Sequence, residues 1–284
     1  MAIAALLFSG SGALAYTAAG DRIFPATLLL PQSAPADQFF VTPVSLPTIK
    51  GQATTATVTY GKTITDDLGL QIEDDLASVD GVPAPERSAP GNLVVAVKYR
   101  AVLDAPHEFF LTVAVDQAFG GTGPRAIGIN RQSSTMPTLY FGKGLGDLDI
   151  GYLRPLAITG MARYEVADGP RQPNRVLAGA ALQYSIPYLQ SKVASFNLPD
   201  YLRHTTPMVE ALVAAPTGEN WGIRTIGYIA PGFSYAGEGW QFGLEALLPI
   251  NHASGRGAGV LAQLYFSLDY LFADTPIGRP LISD

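Results

Sequence analysis

The chain is 284 residues long, 48% hydrophobic and only 15% charged, with a mean hydropathy of +0.19, which excludes a disordered or solvating protein. With 18 basic against 24 acidic residues the net charge is −6, which argues against a nucleic-acid-binding domain and its clustered basic face. Cysteine is absent, so disulfides, thiolate metal sites, a cysteine nucleophile and a lipidated N-terminal cysteine are excluded as well.

The longest unbroken apolar stretch is Ala2 to Phe8, far short of the roughly 18 residues a membrane-spanning helix needs. It is followed by Ser9 to Gly12 and then Ala13-Leu14-Ala15, the small-x-small pattern of a signal-peptidase site, so residues 1–15 read as an export signal. Residues 16–37 turn polar and irregular. Glycine (30) and proline (22) are abundant, which suits many short elements joined by turns.

From residue 38 the hydrophobic period is two. In the last long segment Ala262, Leu264, Phe266, Leu268, Tyr270 and Phe272 oppose Gln263, Tyr265, Ser267 and Asp269. Trp240, Phe242, Leu244, Ala246, Leu248 and Ile250 likewise oppose Gln241, Gly243 and Glu245. Upstream, Phe109, Leu111, Val113 and Val115 oppose Glu108, Thr112 and Asp116, and Leu93, Val95, Val97 and Tyr99 oppose Asn92, Lys98 and Arg100. The alternation predicts 12 strands, near 38–46, 53–64, 67–76, 91–102, 108–119, 136–143, 147–165, 176–188, 207–216, 223–235, 239–250 and 259–272. Residues 38–272 are thus read as one β-domain and 273–284 as a tail.

The connections alternate between tight (Thr65-Asp66, Gly144 to Gly146) and long (Ser78 to Pro90, Gly120 to Thr135), the loop pattern of an outer-membrane barrel. The exception is Gln190 to Thr206, a long connection on the rim of tight turns; either a short helix fills it or the strand count errs there. A soluble barrel would carry far more Lys and Glu outside, whereas here the polar face holds Thr55, Thr57, Thr59, Gln71 and Gln183, a lining suited to a hydrated lumen. Tyr60, Tyr99, Phe119, Tyr188, Tyr235, Trp240 and Phe272 fall near strand ends, as interfacial girdles require. The expected fold is all-β, a transmembrane antiparallel up-and-down barrel of about 12 strands in the bacterial outer membrane.

The run Gly144-Leu145-Gly146-Asp147-Leu148-Asp149-Ile150-Gly151-Tyr152 resembles the GLGDL-x-x-G signature of transporter-like outer-membrane barrels of the phenol meta-pathway degradation family. Thr59-Tyr60-Gly61 running into Thr65-Asp66-Asp67-Leu68-Gly69-Leu70 is similar to an early hairpin of that family. The resemblance implies a pore for small hydrophobic or aromatic molecules. From the residues alone, Gly144 and Gly146 are expected to allow a tight turn and Asp147 to accept its backbone hydrogen bonds.

Chemistry is sparse. His107, His204 and His252 lie in predicted loops without metal-ligand spacing. Asn251-His252-Ala253-Ser254 carries the H-x-S of lipid A deacylase barrels, with Glu245 as a conceivable orienting carboxylate, but solvated loop residues explain it better. Gly120 to Arg125 lacks the Lys-Ser of a phosphate-binding loop. No catalytic residue, metal or cofactor is expected.

Strand parity instead points Lys98, Arg100, Glu108, Asp116, Arg163, Glu165, Glu210, Arg224, Glu245 and Asp269 into the lumen as constriction candidates, with Glu73 and Asp75 beside them. Lys98 and Arg100 are expected to pair across strands with Glu108 and Asp116. The expected function is a channel or passive transporter for small solutes; the alternative is a closed structural or docking barrel. Expected partners are outer-membrane lipids and a small-molecule solute, with a homo-oligomer or periplasmic partner left open.

Overall fold

A computed structural model of the protein describes residues 17–48, 51–81, 87–123, 132–169, 172–219 and 222–282. The export signal read at residues 1–15 lies outside the described residues, as do residues 124–131 of the connection after Phe119.

A short hairpin, β1 (Thr17–Ala19) and β2 (Arg22–Phe24), precedes the barrel. The barrel strands begin with β3 (Gln38–Thr48), β4 (Gly51–Thr63) and β5 (Leu68–Gly81). A four-residue strand, β6 (Arg87–Pro90), returns along the far half of β5. Then follow β7 (Val94–Asp104), β8 (Phe109–Ala118), β9 (Ser133–Gly144), β10 (Leu156–Asp168) and β11 (Asn174–Tyr184). The last four are β12 (Thr205–Thr217), β13 (Ile226–Gly237), β14 (Trp240–Pro249) and β15 (Gly259–Ser267). With β6 set aside, 12 strands pair antiparallel with their neighbours, and β15 pairs with β3 to close the ring. Closure removes the unpaired edges that lipid does not tolerate. Among the described residues no helix is long and apolar enough to cross a membrane.

The side-chain distribution is inverted relative to a water-soluble barrel. Outward residues are large and apolar yet exposed, among them Val97, Val115, Leu182, Val209, Val260 and Leu264 at 42–53%. Inward residues are polar and buried: Thr59, Thr112, Gln183, Glu210, Gln241, Glu245 and Gln263 are each at most 2% exposed. An apolar belt this continuous demands lipid, since leaving it in water costs on the order of 25 cal/mol per Å².

Several boundaries depart from the sequence expectation. The strand expected over 147–165 starts only at Leu156, because residues 145–155 fold into a looped connection with a helical turn at Gly151–Leu153, tied by Arg154 Nε to the Gly146 carbonyl at 2.7 Å. The last strand stops at Ser267, whose hydroxyl accepts from Tyr270 N–H and caps a helical turn over Leu268–Leu271. The strand expected over 176–188 likewise ends at Tyr184, where Ser185 caps a helical turn over Ile186–Tyr188. That turn continues through Leu189–Val193, and Asp200–Arg203 forms another, so helical turns do occupy the long connection before β12.

A basic group on the belt should be costly. Leu139 lies near the middle of β9 and faces outward, so Leu139→Arg is expected to destabilise the barrel by about 2–4 kcal/mol in denaturant titrations in lipid vesicles. Leu139→Phe should stay near the parent.

Candidate functional site

The lumen is occupied by the chain's own N-terminal segment. Residues 17–24 sit at the rim that carries both ends of the barrel, where Phe24 meets Phe110 edge-on at 5.1 Å and packs with Ala19, Ala34 and Ala157. The segment then rises into the barrel, so that Leu28 packs with Met208 and Leu261, and Leu30 with Tyr140, Met161 and Ala181. It returns to the rim at Asp37, whose carboxylate accepts from Lys62 Nζ, Thr63 N–H and the Thr63 hydroxyl at 2.7–2.8 Å.

Inward strand residues bind the backbone of this stopper. The Glu210 carboxylate accepts three successive N–H groups, from Leu28, Leu29 and Leu30, at 2.6, 3.2 and 2.8 Å. Gln241 pairs with both polar groups of Ala26, accepting from its N–H at 3.1 Å and donating to its carbonyl at 2.9 Å. Gln263 donates to the Thr27 carbonyl at 3.0 Å and Lys98 Nζ to the Gln32 carbonyl at 2.6 Å. An irregular backbone in a membrane-depth lumen needs these partners, because each unsatisfied buried group costs about 1–3 kcal/mol. The polar period-two face is therefore the complement of a polypeptide as well as a lining for water.

A second anchor lies at the rim. Arg22 is fully buried: Nε donates to Glu108 Oε2 at 3.1 Å, one terminal nitrogen to the Pro155 carbonyl at 3.0 Å, the other to the Arg154 carbonyl. Its guanidinium lies 3.8 Å from the centroid of the Tyr188 ring, and the Tyr188 hydroxyl donates to Glu108 Oε1 at 2.9 Å. Burial, and then the Glu108 carboxylate, push the Tyr188 hydroxyl above the ordinary tyrosine range. Tyr188 is thus an internal latch residue rather than part of an aromatic girdle. Glu108 sits in the β7–β8 turn with φ +49°, the only non-glycine residue among those described with positive φ. Its carboxylate also accepts from Gly146 N–H at 3.0 Å.

The chain does turn at this motif, Leu148 N–H donating to the Leu145 carbonyl at 3.2 Å, and the latch adds a second demand on its glycines. Neither Gly144 nor Gly146 has a positive φ; a Cβ on either would run into the Glu108 carboxylate, and at Gly146 also into the Tyr188 hydroxyl. Asp147 accepts from Lys143 Nζ at 2.8 Å, and that ammonium, joined by a hydrogen bond from the residue's own backbone, holds its carboxyl below the usual range.

The ten constriction candidates scatter over several environments. Lys98, Asp116, Arg163, Glu165, Glu210 and Glu245 lie on strand faces turned into the lumen. The expected pairing of Lys98 and Arg100 with Glu108 and Asp116 does not form. The β7–β8 register sets Lys98 opposite Ala114 and Arg100 opposite Thr112, so Asp116 pairs with Arg163 two strands away and Lys98 turns to the stopper and to Gln71. Arg100 binds Asp67 at the rim, Glu108 binds Arg22, and Glu165 binds Arg175. Arg224 stands exposed in the connection before β13, and Asp269 lies in the C-terminal helical turn bonded to Ser267, so neither belongs to a strand face. Sequence reading missed Arg22, Gln241 and Gln263 as anchors; inward parity marked the two glutamines as polar, but nothing local marks their partner.

Above the stopper, toward the far rim, lies a vestibule of about 320 Å³ floored by Leu28 to Gln32 and walled by Thr57, Thr59, Gln71, Glu73 and Gln263 together with Phe40 and Leu261. The Ser254 hydroxyl accepts from Gly227 N–H at 2.8 Å and donates to Asn251 at 3.0 Å, so it is not held by His252 as a nucleophile would be. Among the described residues no cluster of three or more His, Asp or Glu side chains could hold a metal.

A closed 12-strand barrel with an apolar exterior and a polar, self-stoppered interior defines the chain as a transmembrane β-barrel of the outer-membrane type. No protein-family model and no curated protein matches the sequence. Among solved structures the fold is similar to the KdgM porin (TM-score 0.50, 11% identity, 81% of this chain and 98% of that one) and the NanC porin (0.51, 10%, 81% and 98%). It is also similar to an outer membrane channel from Pseudomonas putida (0.53, 14%, 86% and 99%). At such identities the likeness is one of fold. It agrees with an outer-membrane β-barrel, and no match to the phenol meta-pathway family accompanies it.

Arg22→Ala should strand the buried Glu108 carboxylate, a loss of about 3–5 kcal/mol for such a pair. Hydrogen exchange of residues 17–33 is expected to accelerate while the barrel strands keep their protection. Gly146→Ala should act in the same direction by displacing Glu108.

Proposed function

We propose that the chain is an outer-membrane channel or passive transporter for small solutes, gated by the non-covalent seat of residues 17–37 in its lumen. The observation that carries this reading is the Glu210 seat: the stopper is held by side-chain hydrogen bonds to its backbone, with no strand ladder to the wall, so it can leave without opening the barrel. The two porins and the channel of similar fold support the class. In outer-membrane barrels the rim bearing both termini faces the periplasm, so the stopper enters from that side and the vestibule faces the exterior.

Solute preference follows from the lining. With the stopper withdrawn and water in the lumen, the inward acidic side chains Glu73, Asp75, Asp116, Glu165, Glu210 and Glu245 outnumber the inward cations Lys98, Arg163 and Arg175. A low-dielectric wall focuses such an excess, so the open lumen favours cations and neutral solutes over anions. The KdgM porin has been seen in complex with a disordered oligogalacturonate, a polyanion to which this lining is not complementary. Leu28, Leu29, Phe40 and Leu261 in the vestibule suit solutes with an apolar part, in keeping with the hydrophobic or aromatic class implied by the sequence resemblance.

Planar-bilayer recordings test the reading. The parent should conduct weakly, and Glu210→Ala, which frees three stopper N–H groups, should raise conductance several-fold with a reversal potential favouring K⁺ over Cl⁻. Glu73→Gln combined with Asp116→Asn should reduce that selectivity. A barrel that stays sealed with Glu210→Ala and Arg22→Ala combined would instead be a closed structural or docking barrel.

A further inference from the structure

The stopper does not fill the terminal mouth evenly. Its hairpin packs against the β8 and β10 side through Phe24, Phe110 and Ala157, and leaves a chamber of about 550 Å³ on the β12–β13 side. The chamber is walled by Ile23 and Pro25 of the stopper, by Pro187 of the helical turn after β11, and by Thr206, Ser234 and Ala236 of the barrel. Its volume lies within the range of small-molecule sites.

Thr206 and Ser234 stand directly opposite each other in the β12–β13 register and are 5% and 2% exposed. Their hydroxyls line the chamber, and neither makes a hydrogen bond to another described residue. Other hydroxyls around the chamber are engaged: the buried Ser185 accepts from Tyr188 N–H, and the exposed Ser191 donates to the Pro187 carbonyl. The charged groups stay at the entrance. Asp21 is exposed and paired with Lys192 at 2.8 Å, Glu238 is exposed in the β13–β14 turn, and His204 lies near Asp200. The fully buried Arg22 is spent on Glu108 and two carbonyls.

We infer that this chamber is a solute-binding site at the periplasmic mouth, taking an uncharged molecule with an apolar body and one hydroxyl or carbonyl group that bonds to Thr206 and Ser234. The apolar walls accept the body, and the adjacent hydroxyls supply one donor and one acceptor each. An ionised ligand would be desolvated there with no buried counter-charge. The inference rests on the channel reading for its role as a way-station in transport, but binding itself is measured without transport, so either can fail alone.

The test uses the full-length protein in lipid nanodiscs, with 4-bromocyclohexanol and bromocyclohexane as probes, titrated calorimetrically and soaked into crystals for the bromine anomalous signal. The alcohol should bind at the chamber, more tightly than bromocyclohexane, and lose about tenfold in affinity with Thr206→Val plus Ser234→Ala, since each neutral hydrogen bond is worth roughly two- to tenfold. Ala236→Phe, which fills the chamber while leaving both hydroxyls, should abolish the site. Folding of each variant is checked by heat-modifiable migration. Equal affinity of folded parent and double variant, equal affinity of the two probes, or water alone in the chamber of soaked crystals would overturn the inference, even if the barrel conducts.

Discussion

Three consecutive N–H groups of the N-terminal segment converge on one buried carboxylate, Glu210, and much of the interior is arranged around that contact. A membrane barrel satisfies its own backbone through the closed ladder, but a chain threaded into its lumen has no ladder to join. Its polar groups need partners from the wall, and the wall supplies them at Gln241, Gln263, Lys98 and Glu210. The same residues would leave the lumen polar with the segment withdrawn, so the gating proposed above asks for no second set of side chains.

The second anchor differs in kind. Arg22 and Glu108 form a buried ion pair whose remaining hydrogen-bonding capacity is taken up by two carbonyls, a glycine N–H and a tyrosine hydroxyl. Such a pair is costly to break by removing one partner and contributes more to a defined geometry than to net stability. It fixes where the stopper enters, while the Glu210 seat fixes how far it reaches. The long connection between β11 and β12 belongs to this anchor, because its helical turn delivers Tyr188 and Pro187 to the mouth. A tight turn there could not do so, which accounts for the longest departure from short connections on the terminal rim; the shorter one, residues 145–155 between β9 and β10, serves the same anchor through the Arg154 and Pro155 carbonyls.

Strand existence and facing were readable because both follow from a local period. Residues such as Val97, Val115 and Leu264 alternate with Lys98, Asp116 and Gln263, and that alternation survives in the folded barrel. The period failed where a cap intervened. Leu268 and Tyr270 continue the alternation on paper, but Ser267 starts a helical turn, and one hydroxyl bonding one N–H is enough to end the strand. At Gly144 and Gly146 the residue type was read as turn chemistry, and the folded chain adds a second demand, room for Glu108.

By itself the sequence determined the class of solvent on each face: lipid outside and polar surroundings inside, because the 48% of residues that are hydrophobic are spread one position in two along the strands. It could not determine what fills the interior, because the partners are distant in the chain. Arg22 and Glu108 are 86 residues apart, and Leu28 and Glu210 are 182 apart. An irregular stretch such as 17–37 has no period to read, and its conformation is imposed by donors and acceptors that only the closed barrel brings around it. Ring closure between β15 and β3 is the step that turns a row of polar faces into a seat for a polypeptide.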